Sequence, residues 1–276
     1  MVLSKFKNFP LYVIYATFVK NWHLIKQLAR RQILRQYRGS VLGLVWSFIN
    51  PVVLLGIYTF VFGVVFKSRW RETGNENLSD FAIILYAGML VFNIFSESIN
   101  SAPKIIVENT NFVKKVIFPI EILPLVNIIS VLFQAAINFI VLLVAEFAIM
   151  GNIPWTVIFF PLICIPLVLI TLGIMWILAS LGVFLRDISQ LTVLFTTVLT
   201  FATPIFYNVD KLPKSIQLFF SLNPLAVIID SARKVVIWGE TPDWRSLFLW
   251  IICGLLVLLL GFYWFQKTRK AFADVL

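Results

Sequence analysis

The chain has 276 residues, 60% of them hydrophobic and only 13% charged, with a mean hydropathy of +0.93. Soluble domains run at roughly 45–50% apolar and about 25% charged, and a fold of this size cannot hide so large an apolar excess inside itself. Lipid is therefore the solvent for most of the chain, which excludes a soluble enzyme, a disordered protein and a secreted disulfide scaffold. The two cysteines, Cys164 and Cys253, lie within apolar runs and read as small hydrophobes. The net charge of +10 does not call for nucleic acid, because the cations flank apolar segments as the positive-inside bias requires.

From the N-terminus, Met1–Lys20 lacks the apolar core and small-residue cleavage site of a signal peptide, so this end is expected to be retained. Next comes an amphipathic segment, Trp22–Arg38. Trp22, Ile25, Ala29, Ile33 and Tyr37 share one helical face, and Gln27, Arg31, Arg35 and Arg38 share the other. Such a helix lies in the membrane interface with its basic face toward anionic headgroups. Residues 1–38 thus form interfacial, cytoplasmic helices, and 39–276 form a single membrane domain.

A helix needs about 20 apolar residues to cross ~30 Å of hydrocarbon. Six stretches meet this: Val41–Phe66, Phe81–Ile99, Pro124–Met150, Trp155–Leu185, Ile188–Phe206 and Leu247–Phe265. The expected fold is all-α and polytopic. The fourth stretch is overlong and holds Pro161 and Pro166, which predicts a tilt, a kink or an interfacial start. Lys and Arg are concentrated before the first span, between the second and third, and after the last, placing both termini in the cytoplasm. Asn208–Trp238, cut by Pro213 and Asn223-Pro224, is too apolar for a free loop and too broken to span. Short re-entrant helices in the outer leaflet fit it.

Chemistry is sparse. No Gly-Lys pair occurs, so no phosphate loop is present. The one histidine, His23, sits on the basic helix, and no Cys/His cluster has metal-ligand spacing. Glu97 and Glu146 lie toward opposite ends of their spans, which argues against a proton relay of an ion-coupled carrier. Asp210, Asp230 and Asp243 are isolated, which argues against a membrane glycosyltransferase and fits helix capping better. The chain is expected not to be an enzyme, and to be driven from outside itself.

Three features suggest a pathway. Ser189, Thr192, Thr196, Thr200 and Thr203 follow offsets of three, four, four and three, a single helical stripe that either packs on a neighbouring helix or walls a conduit. Gln134 and Asn138, one turn apart in the third span, favour an interhelix contact. Tyr58, Phe62 and Phe66 recur every fourth residue, and Phe206-Tyr207 close the fifth span. Aromatic faces of this kind either meet lipid or offer docking surfaces for sugar rings. Between the second and third spans, Phe112, Val116 and Ile117 with Lys114 and Lys115 are too apolar for a solvated loop and suit docking into a partner's groove better than the alternative, an interfacial helix.

Four runs together resemble the permease subunits of ABC exporters of cell-surface polysaccharides. They are Arg35-Gln36-Tyr37-Arg38-Gly39-Ser40-Val41-Leu42-Gly43-Leu44-Val45-Trp46 continuing to Asn50-Pro51; Asn111 to Phe118-Pro119-Ile120-Glu121-Ile122-Leu123-Pro124; Arg186-Asp187-Ile188 with Thr203-Pro204-Ile205-Phe206-Tyr207; and Leu222-Asn223-Pro224-Leu225. The O-antigen permeases of Gram-negative inner membranes are the most similar members. The resemblance implies two copies of this chain, two copies of a separate ABC ATPase that binds the ATP and Mg, and no cofactor in the chain itself. It implies an inner-membrane tunnel at the dimer axis for polyprenyl-pyrophosphate-linked polysaccharide. On the matching positions it makes Asn109, Asn111, Phe112, Lys114, Lys115 and Phe118 the ATPase-coupling segment. It makes Trp22–Arg38 a gate helix whose Arg31, Arg35 and Arg38 meet the lipid pyrophosphate. Tyr58, Phe62, Phe66, Thr192, Thr196, Thr200, Thr203, Phe206 and Tyr207 become tunnel lining. Capsule, teichoic acid or small hydrophobic molecules are the alternative cargoes.

Overall fold

Backbone N–H and C=O groups in hydrocarbon find no water, so apolar runs of this length close their hydrogen bonds internally as helices. The computed structural model describes residues 10–36, 40, 42–66, 70, 78–113, 118–209, 213, 214, 217, 220 and 222–276. Every regular element among them is helical. Arg38, Lys114, Lys115 and Asp210 lie outside the described residues.

Two short helices, α1 (Pro10–Lys20) and α2 (Trp22–Gln36), precede the bundle. Helix α3 (Trp46–Tyr58) runs on through a π-helical turn at Thr59–Val65. Helix α4 (Leu78–Ser101) is followed by two 3-10 turns and the one-turn α5 (Thr110–Val113). Then come α6 (Ile122–Met150), α7 (Phe160–Phe184), α8 (Ile188–Ala202), α9 (Pro224–Arg233), α10 (Trp244–Thr268) and α11 (Phe272–Val275).

Among the described residues, five helices are long and apolar enough to cross a membrane: those at Gly43–Phe62, Asp80–Lys104, Ile122–Met150, Trp155–Phe184 and Trp244–Ala271. These coincide with five of the six expected stretches. The sixth, α8, has 15 residues, about 22 Å at 1.5 Å per residue. It stops at Ala202 rather than reaching Phe206, because Thr203 precedes Pro204 and is extended (φ −109°, ψ 141°). The proline ring disfavours the helical conformation at the residue before it. The overlong fourth stretch starts as a 3-10 turn, Trp155–Phe159, before α7 takes over with Pro161 in its first turn.

Helix α4 is the hub. Of its most apolar window 78% is buried inside the protein, against 11% for α3. It packs on α3, α6, α7, α8 and α9. Helices α7 and α10 form the other major contact, where a Cβ on Gly261 would collide with the Gly173 carbonyl. Small residues let the two backbones approach that closely. The start of α6 is tied to the chain's end: Arg269 Nη1 lies 3.1 Å from Glu121 Oε2, and Trp176 Nε1 donates to the Glu121 carbonyl at 3.1 Å. Only Ser47, Pro51 and Leu55 are buried along α3, a narrow i, i+4, i+8 stripe, and its remaining faces are largely apolar and exposed.

Candidate functional site

At one end of the bundle α2 lies across α6, with Ile25 and Ala29 buried and Arg31 and Arg35 exposed. Ile25 and Ala29 belong to the expected apolar face and Arg31 and Arg35 to the basic one, whereas Trp22 of the apolar face is exposed. Between α2, the lower part of α4 and the following turns lies a cavity of about 820 Å³. Arg31, Arg35 and Lys104 line it together with Glu97, Glu108 and Asn111. Asn109 and Phe112 also face it, so residues expected for the gate and for coupling share one chamber. Asn109 Nδ2 donates to the Ile105 carbonyl at 2.8 Å, fixing the turn before α5. Phe112 is half-buried and stacks on Phe118, with centroids 4.3 Å apart and planes 10° apart.

Helix α4 and the 3-10 turn that follows it supply the polar floor. Asn93, Glu97, Asn100, Ser101 and Lys104 follow helical spacing on one face, a pattern readable in the sequence but not singled out there. Ser101 Oγ donates to Asn127 Oδ1 of α6 at 2.9 Å. A second cavity of about 300 Å³ lies between α3, α4 and α6 and shares Glu97 with the first. Gln134 Nε2 reaches Asn138 Oδ1 and the Ser47 carbonyl of α3, both at 3.1 Å, the interhelix contact expected for this pair.

The threonine stripe of α8 turns inward. Thr192, Thr196 and Thr203 are buried, and Thr200 is half-buried. Thr196 Oγ1 donates to Asn100 Oδ1 of α4 at 3.1 Å, and Asn223 Nδ2 comes within 3.5 Å of Thr203 Oγ1. Leu191, Val193, Leu194, Phe195, Val198 and Phe201 are exposed instead. Helix α8 is therefore polar toward the protein and apolar outward. The bonds of Thr196 and Thr203 are of the kind the packing reading of the stripe expects.

At the opposite end, aromatic residues separated in sequence meet around Phe62. Its ring centroid lies 6.4 Å from Tyr58, 5.9 Å from Phe66 and 6.1 Å from Phe206. Tyr207 donates its hydroxyl to the Phe201 carbonyl at 2.9 Å and packs edge-on to Phe220. Beside this cluster is a cavity of about 380 Å³, lined in part by Trp70, Tyr207, Asp230, Lys234 and Trp238. Lys234 Nζ lies 2.8 Å from Asp230 Oδ2. Burial lowers the Lys234 ammonium, but the hydrogen bond and charge of Asp230 outweigh it and raise it overall. Asp243 caps α10, and the Ser246 hydroxyl bonded to it at 2.6 Å holds its carboxyl below the usual range.

The residue that sequence reading missed is Arg233. It is 2% exposed, and its guanidinium donates to the carbonyls of Ile84 (3.1 Å), Pro204 (2.8 Å) and Ile205 (2.8 Å). Its Cζ lies 4.2 Å over the Trp70 ring. Gly88 makes room for it: a Cβ there would sit 2.5 Å from Arg233 Nη2. One side chain thus fastens α9 to α4, to the break after α8 and to the α3–α4 connection. An arginine inside an apolar helix was the available signal. In α6, Glu146 is buried with both carboxylate oxygens lacking a hydrogen-bond partner among the described residues. Among the described residues, no group of three or more His, Cys, Asp or Glu side chains is placed to hold a metal ion.

The family profile described as "ABC-2 type transporter" matches residues 23–237, from the basic helix to the end of the segment carrying Arg233. The chain belongs to the ABC-2 type transporter family. Membership implies a membrane setting and an ABC ATPase partner. The ABC-2 chain is 27% identical over 254 residues to the O-antigen export system permease protein RfbA of Myxococcus xanthus, covering 91% of this chain and 94% of that protein. It is 26% identical over 255 residues to an RfbA of Klebsiella pneumoniae, covering 92% and 95%. Similarity to these export permeases thus extends beyond the profile match, over nearly the whole chain.

Proposed function

We propose that this chain is the transmembrane subunit of an ATP-driven exporter that moves polyprenyl-pyrophosphate-linked polysaccharide of the O-antigen type across the bacterial inner membrane. In this reading two copies assemble with two ATPase subunits, which bind ATP and Mg, and both termini face the cytoplasm. Helix α8 is the short fifth of six passes, α2 is the gate helix, and 208–238 forms the re-entrant closure. The conduit runs between the two copies, with Tyr58, Phe62, Phe66, Thr200, Phe206 and Tyr207 along its wall. Thr192, Thr196 and Thr203 serve packing.

The observation that carries the proposal is the 820 Å³ cavity, where Arg31, Arg35 and Lys104 stand beside Asn109 and Phe112. Guanidinium groups suit pyrophosphate by charge and by forked donor geometry. Movement imposed on α5 by the ATPase would alter the chamber that holds the lipid head, which links nucleotide closure to release into the conduit. Full-length similarity to O-antigen export permeases supports the cargo class. A small hydrophobic cargo would not require three cations in this chamber.

Coupling is tested with Phe112→Ala combined with Lys114→Glu. Export is expected to be abolished while the chain still inserts into the membrane. Wild-type export by the double variant would refute the coupling assignment.

A further inference from the structure

The two cavities on the polar face of α4 differ in charge. The 820 Å³ chamber carries the three cations Arg31, Arg35 and Lys104 against the two carboxylates Glu97 and Glu108. The 300 Å³ pocket has no Lys or Arg among its described lining residues, and is walled by Asn50, Tyr58, Tyr86, Asn93, Asn138 and the shared Glu97. Amides supply donors and acceptors, and the carboxylate supplies acceptors only, a set that matches neutral hydroxyls rather than an anion. Volumes of ~300–1,000 Å³ are those of small-ligand pockets. The Tyr86 hydroxyl is buried and has no hydrogen-bond partner among the described residues. An orphaned hydroxyl is unfavourable, and its persistence beside a polar pocket points to a ligand that satisfies it.

We propose that the inner pocket is a sugar subsite. It receives the monosaccharide bonded directly to the pyrophosphate, while the outer chamber holds the pyrophosphate itself. This rests on the lipid-linked cargo proposed above. The two chambers meet at Glu97, so a pyrophosphate and the sugar attached to it fit adjacent compartments, of which only the first offers cations. Tyr86 and Asn93 contact sugar hydroxyls, and Glu97 accepts from a hydroxyl at the junction. The chain thereby reads the first sugar as well as the lipid anchor.

The test compares binding of undecaprenyl pyrophosphate with and without one sugar, using a hexose and an N-acetylhexosamine in turn, to the full-length chain in nanodiscs. The wild type is expected to bind at least one sugar-bearing lipid about tenfold more tightly than the bare lipid. Tyr86→Phe and Asn93→Leu are expected to erase that preference while leaving bare-lipid affinity unchanged, which also reports an intact fold. Because Tyr86→Phe removes a hydroxyl with no described partner, its melting temperature without ligand should not fall. Arg31→Gln with Arg35→Gln should weaken both lipids alike. Equal wild-type affinity for bare and sugar-bearing lipids would overturn the subsite and leave the pyrophosphate reading standing. A preference surviving Tyr86→Phe and Asn93→Leu would also overturn it. Failure to bind either lipid would overturn both proposals.

Discussion

The two ends of the bundle hold polar chemistry in different ways. At the end where α2 packs on α6, Arg31, Arg35 and Lys104 line a roomy chamber. At the opposite end, the buried cation Arg233 is spent on three carbonyls and one indole face, and aromatic rings supply much of the remaining surface. Charge available to a ligand and charge used as a fastener look alike in composition but are opposite in function. A cargo with an anionic head and a sugar body would meet cations first and ring faces last.

The largest effect is expected from breaking the fastener. The carbonyls of Pro204 and Ile205 lie past the end of α8, where no helical N–H replaces the guanidinium. Arg233→Met should therefore destabilise the protein by roughly 2–5 kcal/mol, since each orphaned buried acceptor costs about 1–3 kcal/mol. Gly88→Ala should act on the same joint, and a double-mutant cycle read by thermal melting should show the two changes to be non-additive. Additive effects would mean that Gly88 and Arg233 do not share one contact.

A smaller effect sharpens the contrast within α8. Thr196→Val keeps the shape and removes the bond to Asn100, so a loss of about 0.6–1 kcal/mol is expected. Conduction or export should be unchanged if the hydroxyl serves packing. Altered export at unchanged stability would return Thr196 to the conduit wall.

How much of this was legible in the sequence follows from the range of the interactions. The long spans were readable because about twenty apolar residues in a row have few alternatives. The end of α8 was readable too, from Thr203-Pro204, yet the apolar run through Phe206 obscured it. Periodicity found the threonine stripe but not what it faces, because its partner Asn100 lies 96 residues away. Arg233 stands out in the sequence as an arginine in an apolar helix, but its partners do not, with Ile84 separated from it by 149 residues. Motif resemblance named the gate and coupling segments; that Arg31, Arg35, Asn109 and Phe112 share one chamber emerges only from the packing of α2 beside α4 and α6.

The most direct measurement is transport of fluorescent lipid-linked polysaccharide into proteoliposomes holding the chain with or without its ABC ATPase. Polymer should cross only when the ATPase is present and hydrolysing ATP, and stop when hydrolysis is blocked. Equal transport by the chain alone would contradict a conduit moved from the cytoplasmic side.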